Sequence, residues 1–229
     1  ANEIAELLVT VRSLESILEV DAERVEPGPA RMLDEEELRT EVERLRGEVT
    51  ALDDRQNDLE ERRRQLTERM REAEPLVGLD IDLDLLAGYD SLDVAVGVGD
   101  ERAIRERLRQ AKAVSTFSVE RGEEDVLAVF ARTSAEASAL NELLVGAEFT
   151  ELAVPDAAGP PSEHVEALGE RREEIEAELA TLQEEIEQLR EDSEEFLLAA
   201  EEHLTIELQK AEAPLSFATT ENAFVAEGW

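Results

Sequence analysis

Two stretches of this chain, 34–74 and 162–212, carry an apolar residue at every seventh position. A sevenfold repeat puts one narrow stripe along a helix, and that stripe is stable only when buried against another helix. In the second stretch Leu168, Ile175, Leu182, Leu189 and Phe196 recur at this spacing, with Leu179 and Ile186 as the companion series. In the first, Leu38, Leu45, Leu52, Leu59 and Leu66 recur, beside Val42, Val49 and Met70. A mixed segment separates the two. The pattern predicts a long antiparallel two-helix coiled-coil hairpin carrying a globular lobe at its tip, with arms of about 60 and 75 Å at ~1.5 Å per residue. That geometry suits a spacer or tether better than an enzyme cleft.

Charge narrows the setting. Acidic residues outnumber basic ones 59 to 23, a formal net charge of −36, and Lys112 and Lys210 are the two lysines. A charge this large repels itself in dilute buffer and is screened within a few ångströms by molar salt. Acid excess with scarce lysine fits a protein of a high-salt cytoplasm. A surface built for a basic partner, such as a DNA mimic, fits less well, because the acid is spread along the whole chain rather than blocked. No basic stripe is present to replace phosphate counterions, so no nucleic-acid partner is expected. The chain has no Cys, which excludes disulfides and thiolate metal sites. No apolar run approaches the ~18 residues that span a bilayer, and no signal peptide is evident. Ending at Trp229 straight after a strand-like run, the chain reads as part of a larger protein.

Along the chain, residues 2–19 form an amphipathic pattern with Ile4, Leu7, Leu8, Val11, Leu14 and Leu18 on one face, broken by Glu26-Pro27-Gly28-Pro29. Asp34 and Glu37 make a capping box for the first long helix, and Pro75 stops it. Between the arms, alternation at Leu92, Val94, Val96 and Val98 reads as a half-buried strand. Ile104, Leu108 and Ala111 mark a helix, Phe117 and Val119 a strand, and 125–132 a third strand after the turn at 121–124. Ala139, Leu140, Leu143 and Leu144 mark a second helix, and Phe149, Leu152 and Val154 a fourth strand. This βαββαβ order is the split-βαβ, ferredoxin-like arrangement, with both helices on one face. The expected fold class is α+β, divided into a helix and linker (1–33), the first long helix (34–75), the lobe with its linkers (76–161), the second long helix (162–213) and a strand segment (214–229). Phe224 and Val225 suggest a last strand without an obvious partner. Arg62, Arg63 and Arg64 are expected opposite Glu173 and Glu174.

The sequence offers no catalytic, cofactor or metal site. Gly97-Val98-Gly99 sits between a strand and a helix, but the dinucleotide fingerprint wants a third Gly where Arg102 stands. Asp80, Asp82 and Asp84 alternate like calcium ligands, yet the EF-hand needs Gly and Glu where Leu85 and Ser91 occur. His164 and His203 lie 39 residues apart on one predicted helix, roughly 58 Å, so they do not converge; His203 continues the Phe196 series into the helical seam. Tyr89 reads as a packing anchor for the lobe, and Trp229 as a plug for a second, incomplete lobe. The basic run Arg102, Arg105, Arg109 and Lys112 is the expected partner-contact face; equally, these residues would balance nearby carboxylates.

Two stretches carry a family resemblance. Leu86-Ala87-Gly88-Tyr89-Asp90-Ser91-Leu92-Asp93-Val94-Ala95-Val96-Gly97 and Thr220-Glu221-Asn222-Ala223-Phe224-Val225-Ala226-Glu227-Gly228-Trp229 resemble segments of the subunit I (subunit a) family of archaeal-type and vacuolar-type rotary ATPases. The resemblance implies a dumbbell on the cytoplasmic face of the membrane: a partial proximal lobe, a hairpin of long helices and a distal lobe. It implies a non-catalytic stator arm that docks the peripheral-stalk heterodimer and connects to its own C-terminal membrane domain, where the proton-conducting machinery lies. It carries no cofactor. An intramolecular hairpin predicts a monomer; the alternative, a free coiled-coil scaffold or tether of a halophile, predicts a dimer. A third alternative is an enzyme with a small-molecule site on the ferredoxin-like lobe.

Overall fold

The structure is a computed structural model that describes residues 2–21, 34–89, 92–133, 139–213, 218–220 and 223–225. The predicted break at Glu26-Pro27-Gly28-Pro29, and Trp229, lie outside the described residues. The chain forms two compact units, Ala1–Leu59 with Glu178–Trp229, and Glu60–Ala177. Helices α2 (Glu35–Ala73) and α6 (Pro161–Glu212) contribute to both. Three glutamates fill the first turn of α2, where the helix dipole favours negative charge. Pro75 lacks the N–H to continue it, and the chain tightens into a 3-10 turn, Glu74–Leu79. Helix α6 opens on Pro161, whose fixed φ suits a first helical position.

In the first unit, α1 (Asn2–Ile17) joins the long helices as a third partner. Leu8, Val11, Leu14 and Leu18 form one core with Leu38, Val42, Leu45 and Val49 of α2 and Leu197, Ala200 and Leu204 of α6. The apolar face of α1 was legible in the sequence; its place in this core was not. Arg12 pairs with Glu201 at 2.8 Å and Arg55 with Glu185 at 3.5 Å, bridging helices around it.

Burial on α6 departs from the sevenfold expectation. Its buried residues are Pro161, Leu168, Leu182, Ser193, Leu197, Ala200 and Leu204. At 3.6 residues per turn these fall within a sector of about 60°. Phe196 and His203, the seam positions of a strict heptad, are only half-buried, and Leu197 and Leu204 take their places. A straight helix drifts ~20° per heptad against a 3.5-residue repeat, so four heptads move the inward face by nearly one residue. On α2 the sevenfold series persists through Leu38, Leu45, Leu59, Leu66 and Ala73.

The last strand has its partner within the chain. β5 (Ala218–Thr220) and β6 (Ala223–Val225) pair antiparallel, with Thr219 opposite Phe224.

In the second unit a four-stranded antiparallel sheet runs in the order β2-β3-β1-β4, built from β1 (Asp93–Val98), β2 (Val114–Arg121), β3 (Val126–Thr133) and β4 (Thr150–Glu151). With α4 (Glu101–Gln110) between β1 and β2, and α5 (Ala139–Val145) between β3 and β4, the observed order is the predicted βαββαβ. Ile104 and Leu108 of α4 and Leu140 and Leu144 of α5 cover one face over Ala95, Val119, Leu127, Val129 and Ala131.

The other face is covered as well, which the half-buried reading of β1 did not anticipate. Leu76 and Leu79 of the 3-10 turn, with Leu83 and Leu86 of α3 (Leu83–Leu86), pack over Val96, Val126 and Ala128. The segment read as a plain connection therefore closes the sheet, and β3 is buried along most of its length. At Gly122 a Cβ would meet the carbonyl carbon of Gly78 at 2.9 Å, so the β2–β3 turn lies directly on the 3-10 turn. Arg64 pairs with Glu61 on its own helix rather than with Glu173 or Glu174.

Candidate partner-binding surface

Helix α4 carries the basic run, and its sequence sets where each cation points. Ile104 and Leu108 turn inward, which leaves Arg102 and Arg109 on the exposed side, one turn apart or more, with Lys112 in the turn that follows. None of these three side chains forms a hydrogen bond or an ion pair among the described residues. Arg105 differs. Half-buried beside the sheet, its Nε donates to Glu101 Oε1 at 2.7 Å and its Nη2 to the backbone carbonyl of Val119 at 2.8 Å. The structure thus separates the predicted run into three free exposed cations and one that ties α4 to strand β2. Arg107, which sequence reading passed over, donates to the carbonyls of Leu143 and Gly146 and holds the end of α5.

The start of α4 explains the glycine pair before it. Asp100 accepts the backbone N–H of Arg102 at 2.7 Å and of Ala103 at 3.1 Å. The bond from Ala103, then that from Arg102, holds its carboxyl below the usual aspartate range. The helix N-terminus where a phosphate would sit is filled by the chain's own carboxylate. At Gly97 a Cβ would lie 2.3 Å from the Thr150 carbonyl oxygen and 2.6 Å from Phe149 Cζ. This glycine exists to let β4 approach, not to cradle a ligand. An Asp directly before a helical pattern is the signal that would have identified the cap.

The remaining predicted positions resolve individually. Asp84 Oδ1 accepts the Gly159 N–H at 3.2 Å, and Asp80 ends the 3-10 turn in the left-handed region at φ 53°. Among the described residues, no three His, Asp or Glu side chains converge as a metal site requires. His164 and His203 lie near opposite ends of the unbroken α6. Tyr89 is 52% exposed, so its ring does not anchor the lobe. Its backbone does the tying, through Tyr89 N–H to Leu92 carbonyl at 3.2 Å and Leu92 N–H to Tyr89 carbonyl at 3.0 Å. No helix of the described residues is long and apolar enough to cross a membrane.

No protein-family model matches the chain. Over 230 aligned residues, all of this chain, it is 49% identical to A-type ATP synthase subunit I of Halobacterium salinarum. It spans 31% of that relative's length. Among solved structures it is similar to the crystal structure of the cytoplasmic N-terminal domain of subunit I, homolog of subunit a, of V-ATPase, with a TM-score of 0.57 over 93% of this chain and 71% of that one. Sequence identity there is 20%, so that likeness speaks for the fold. The resemblance read from the sequence thus extends over the whole chain, which is a relative of subunit I of the A-type ATP synthases.

Proposed function

We propose that this chain is the stator arm of an A-type rotary ATP synthase, linking peripheral-stalk subunits to a proton-conducting membrane sector at the cytoplasmic face of the membrane. The observation that carries the reading is the 49% identity to subunit I over every part of the chain. The architecture suits the task. Two continuous helices of 39 and 52 residues extend far along their axes, about 58 and 78 Å at ~1.5 Å per residue. A stator resists lateral force, and helices packed in a common core bend less than one helix alone. The arrangement proposed is a monomeric hairpin with the Glu60–Ala177 unit distal and the β5–β6 unit proximal. Its role is structural, with no catalytic step of its own.

Within this reading the stalk docks on α4 through Arg102, Arg109 and Lys112, while Arg105 keeps that helix on the sheet. The decisive experiment is co-elution of the chain with the peripheral-stalk heterodimer of the same organism in molar KCl, with light scattering on the chain alone. A monomer that co-elutes, and loses the stalk on charge reversal at Arg102 and Arg109, is the expected result. A stable dimer that ignores the stalk would overturn the stator reading in favour of a free coiled-coil tether.

A further inference from the structure

The two edges of the four-stranded sheet differ in how they are protected. β4, at one edge, is two residues long, and so short an edge offers little to pair with. β2, at the other, runs for eight residues without Pro or Lys, and its one register shift lies at its start, between Val114 and Thr116. The usual defences of an edge strand are therefore missing from most of its length. Backbone direction alternates along it. Just past its end, Gly122 donates to the Val126 carbonyl at 2.8 Å. Two and four residues back, Glu120 opposite Ala128 and Ser118 opposite Phe130 turn their backbone groups toward β3 in the same way. Phe117, Val119 and Arg121 turn theirs outward. Arg105 meets this edge at its middle: the outward Val119 carbonyl accepts its Nη2 at 2.8 Å, while Glu101 Oε1 holds its Nε at 2.7 Å. The guanidinium stands where the N–H of a next strand would stand, and Val119 is 4% exposed.

We propose that the β2 edge is a pairing surface for a second copy of this chain, kept closed by Arg105. The edge is self-complementary. Its outward residues are symmetric about Val119, so antiparallel pairing of two copies around a two-fold axis sets Val119 against Val119, and Phe117 against Arg121 of the other copy. Ser118 then faces Glu120, and no like charges stand directly opposite each other. The acceptor that Arg105 takes is the one nearest the axis, so a single side chain blocks the centre of the ladder. Net charge does not substitute for it in the high-salt setting that the composition implies. At molar salt the repulsion between two chains of −36 is screened within about 3 Å, whereas a guanidinium bonded to the edge blocks it by contact. The inference stands independently of the stator reading, which concerns the chain with this edge closed.

Light scattering across a range of protein concentrations in molar KCl tests this on the 229-residue chain. The unaltered protein is expected to stay monomeric. Arg105→Ala should self-associate at least about tenfold more tightly, stopping at a dimer, and hydrogen exchange at the Val119 amide should slow as the dimer forms. Adding Arg121→Pro removes an outward N–H without touching the ladder to β3, and should return Arg105→Ala to a monomer. Glu101→Ala, which unpins Arg105 and leaves the sheet alone, should dimerise more weakly than Arg105→Ala; it decides the matter if Arg105→Ala does not fold. A folded Arg105→Ala that remains monomeric, or in its place a monomeric Glu101→Ala, would overturn the proposal. So would association that survives Arg121→Pro, which would mark exposed core rather than edge pairing.

Discussion

Arg105 on α4 donates from Nη2 to the backbone carbonyl of Val119, 14 residues on, at 2.8 Å. Val119 lies on β2, an edge of the sheet, so the guanidinium occupies an acceptor the edge would otherwise leave to solvent. Arg105 is thereby a structural cation in a run that looks uniform in sequence. Arg105→Ala is expected to lower the stability of this unit by about 1–2 kcal/mol, the low end for a hydrogen bond from a charged group because a third of the side chain is exposed. Arg102→Glu and Arg109→Glu should each change stability by less than about 0.5 kcal/mol in molar KCl. Denaturant unfolding of the three variants distinguishes tether from surface, and equal losses would refute the separation.

The inward phase of α6 makes a second prediction. Leu197 is fully buried and Phe196 is half-buried, although the heptad series runs through Phe196. Leu197→Ala should cost about 2–5 kcal/mol, and Phe196→Ala should cost less despite removing more atoms. The reverse order in thermal melts would mean that the sevenfold phase governs this core after all.

The long helices and the strand–helix order were legible because periodicity and Pro or Gly punctuation act locally. What escaped was whatever depends on a distant neighbour. The sequence does not say that Leu8, Val11 and Leu14 of α1 meet Leu197 and Leu204 some 190 residues away. Nor does it say that Leu76 and Leu83, in a segment without periodicity, close the second face of the sheet. The half-buried reading of β1 failed for that reason. On the surface, the basic run was legible as charge; that Arg105 is bonded and Arg109 is not depends on where α4 lies against β2.

Gly97 supplies a third prediction. Its missing Cβ would sit 2.3 Å from the Thr150 carbonyl oxygen, a backbone atom that cannot swing aside. Gly97→Ala is expected to destabilise the sheet by about 1–3 kcal/mol through overpacking. Val98→Ala, at a neighbouring position 37% exposed, should cost well under half as much. A neutral Gly97→Ala in chemical denaturation would show that β4 does not hold its close approach.

The last prediction concerns pH and sets one unit against the other. Glu15 of α1 has a buried Oε1 without a hydrogen-bond partner. Burial, then Glu201, push its carboxyl up to about 7, against a smaller opposing pull from Arg12. A carboxyl raised on folding favours the protonated form, so its stability contribution is present below the ordinary value of 4.5 and is lost as pH rises through about 7. Unscreened, that rise is worth about 3 kcal/mol; with the group partly open to water and molar salt present, about 1 kcal/mol is expected. Glu15→Gln should therefore stabilise the first unit at pH 8 and leave it unchanged at pH 4. His164 works the other way in the second unit: an imidazole held below its usual 6.5 destabilises the fold as pH falls beneath that value. Amide exchange across pH 5 to 8 reads the two units separately. Protection on α1 should fall with rising pH and recover in Glu15→Gln, while protection around the start of α6 should fall in the opposite direction. A common pH trend in both units would mean that the net charge of −36, and not these two groups, governs stability.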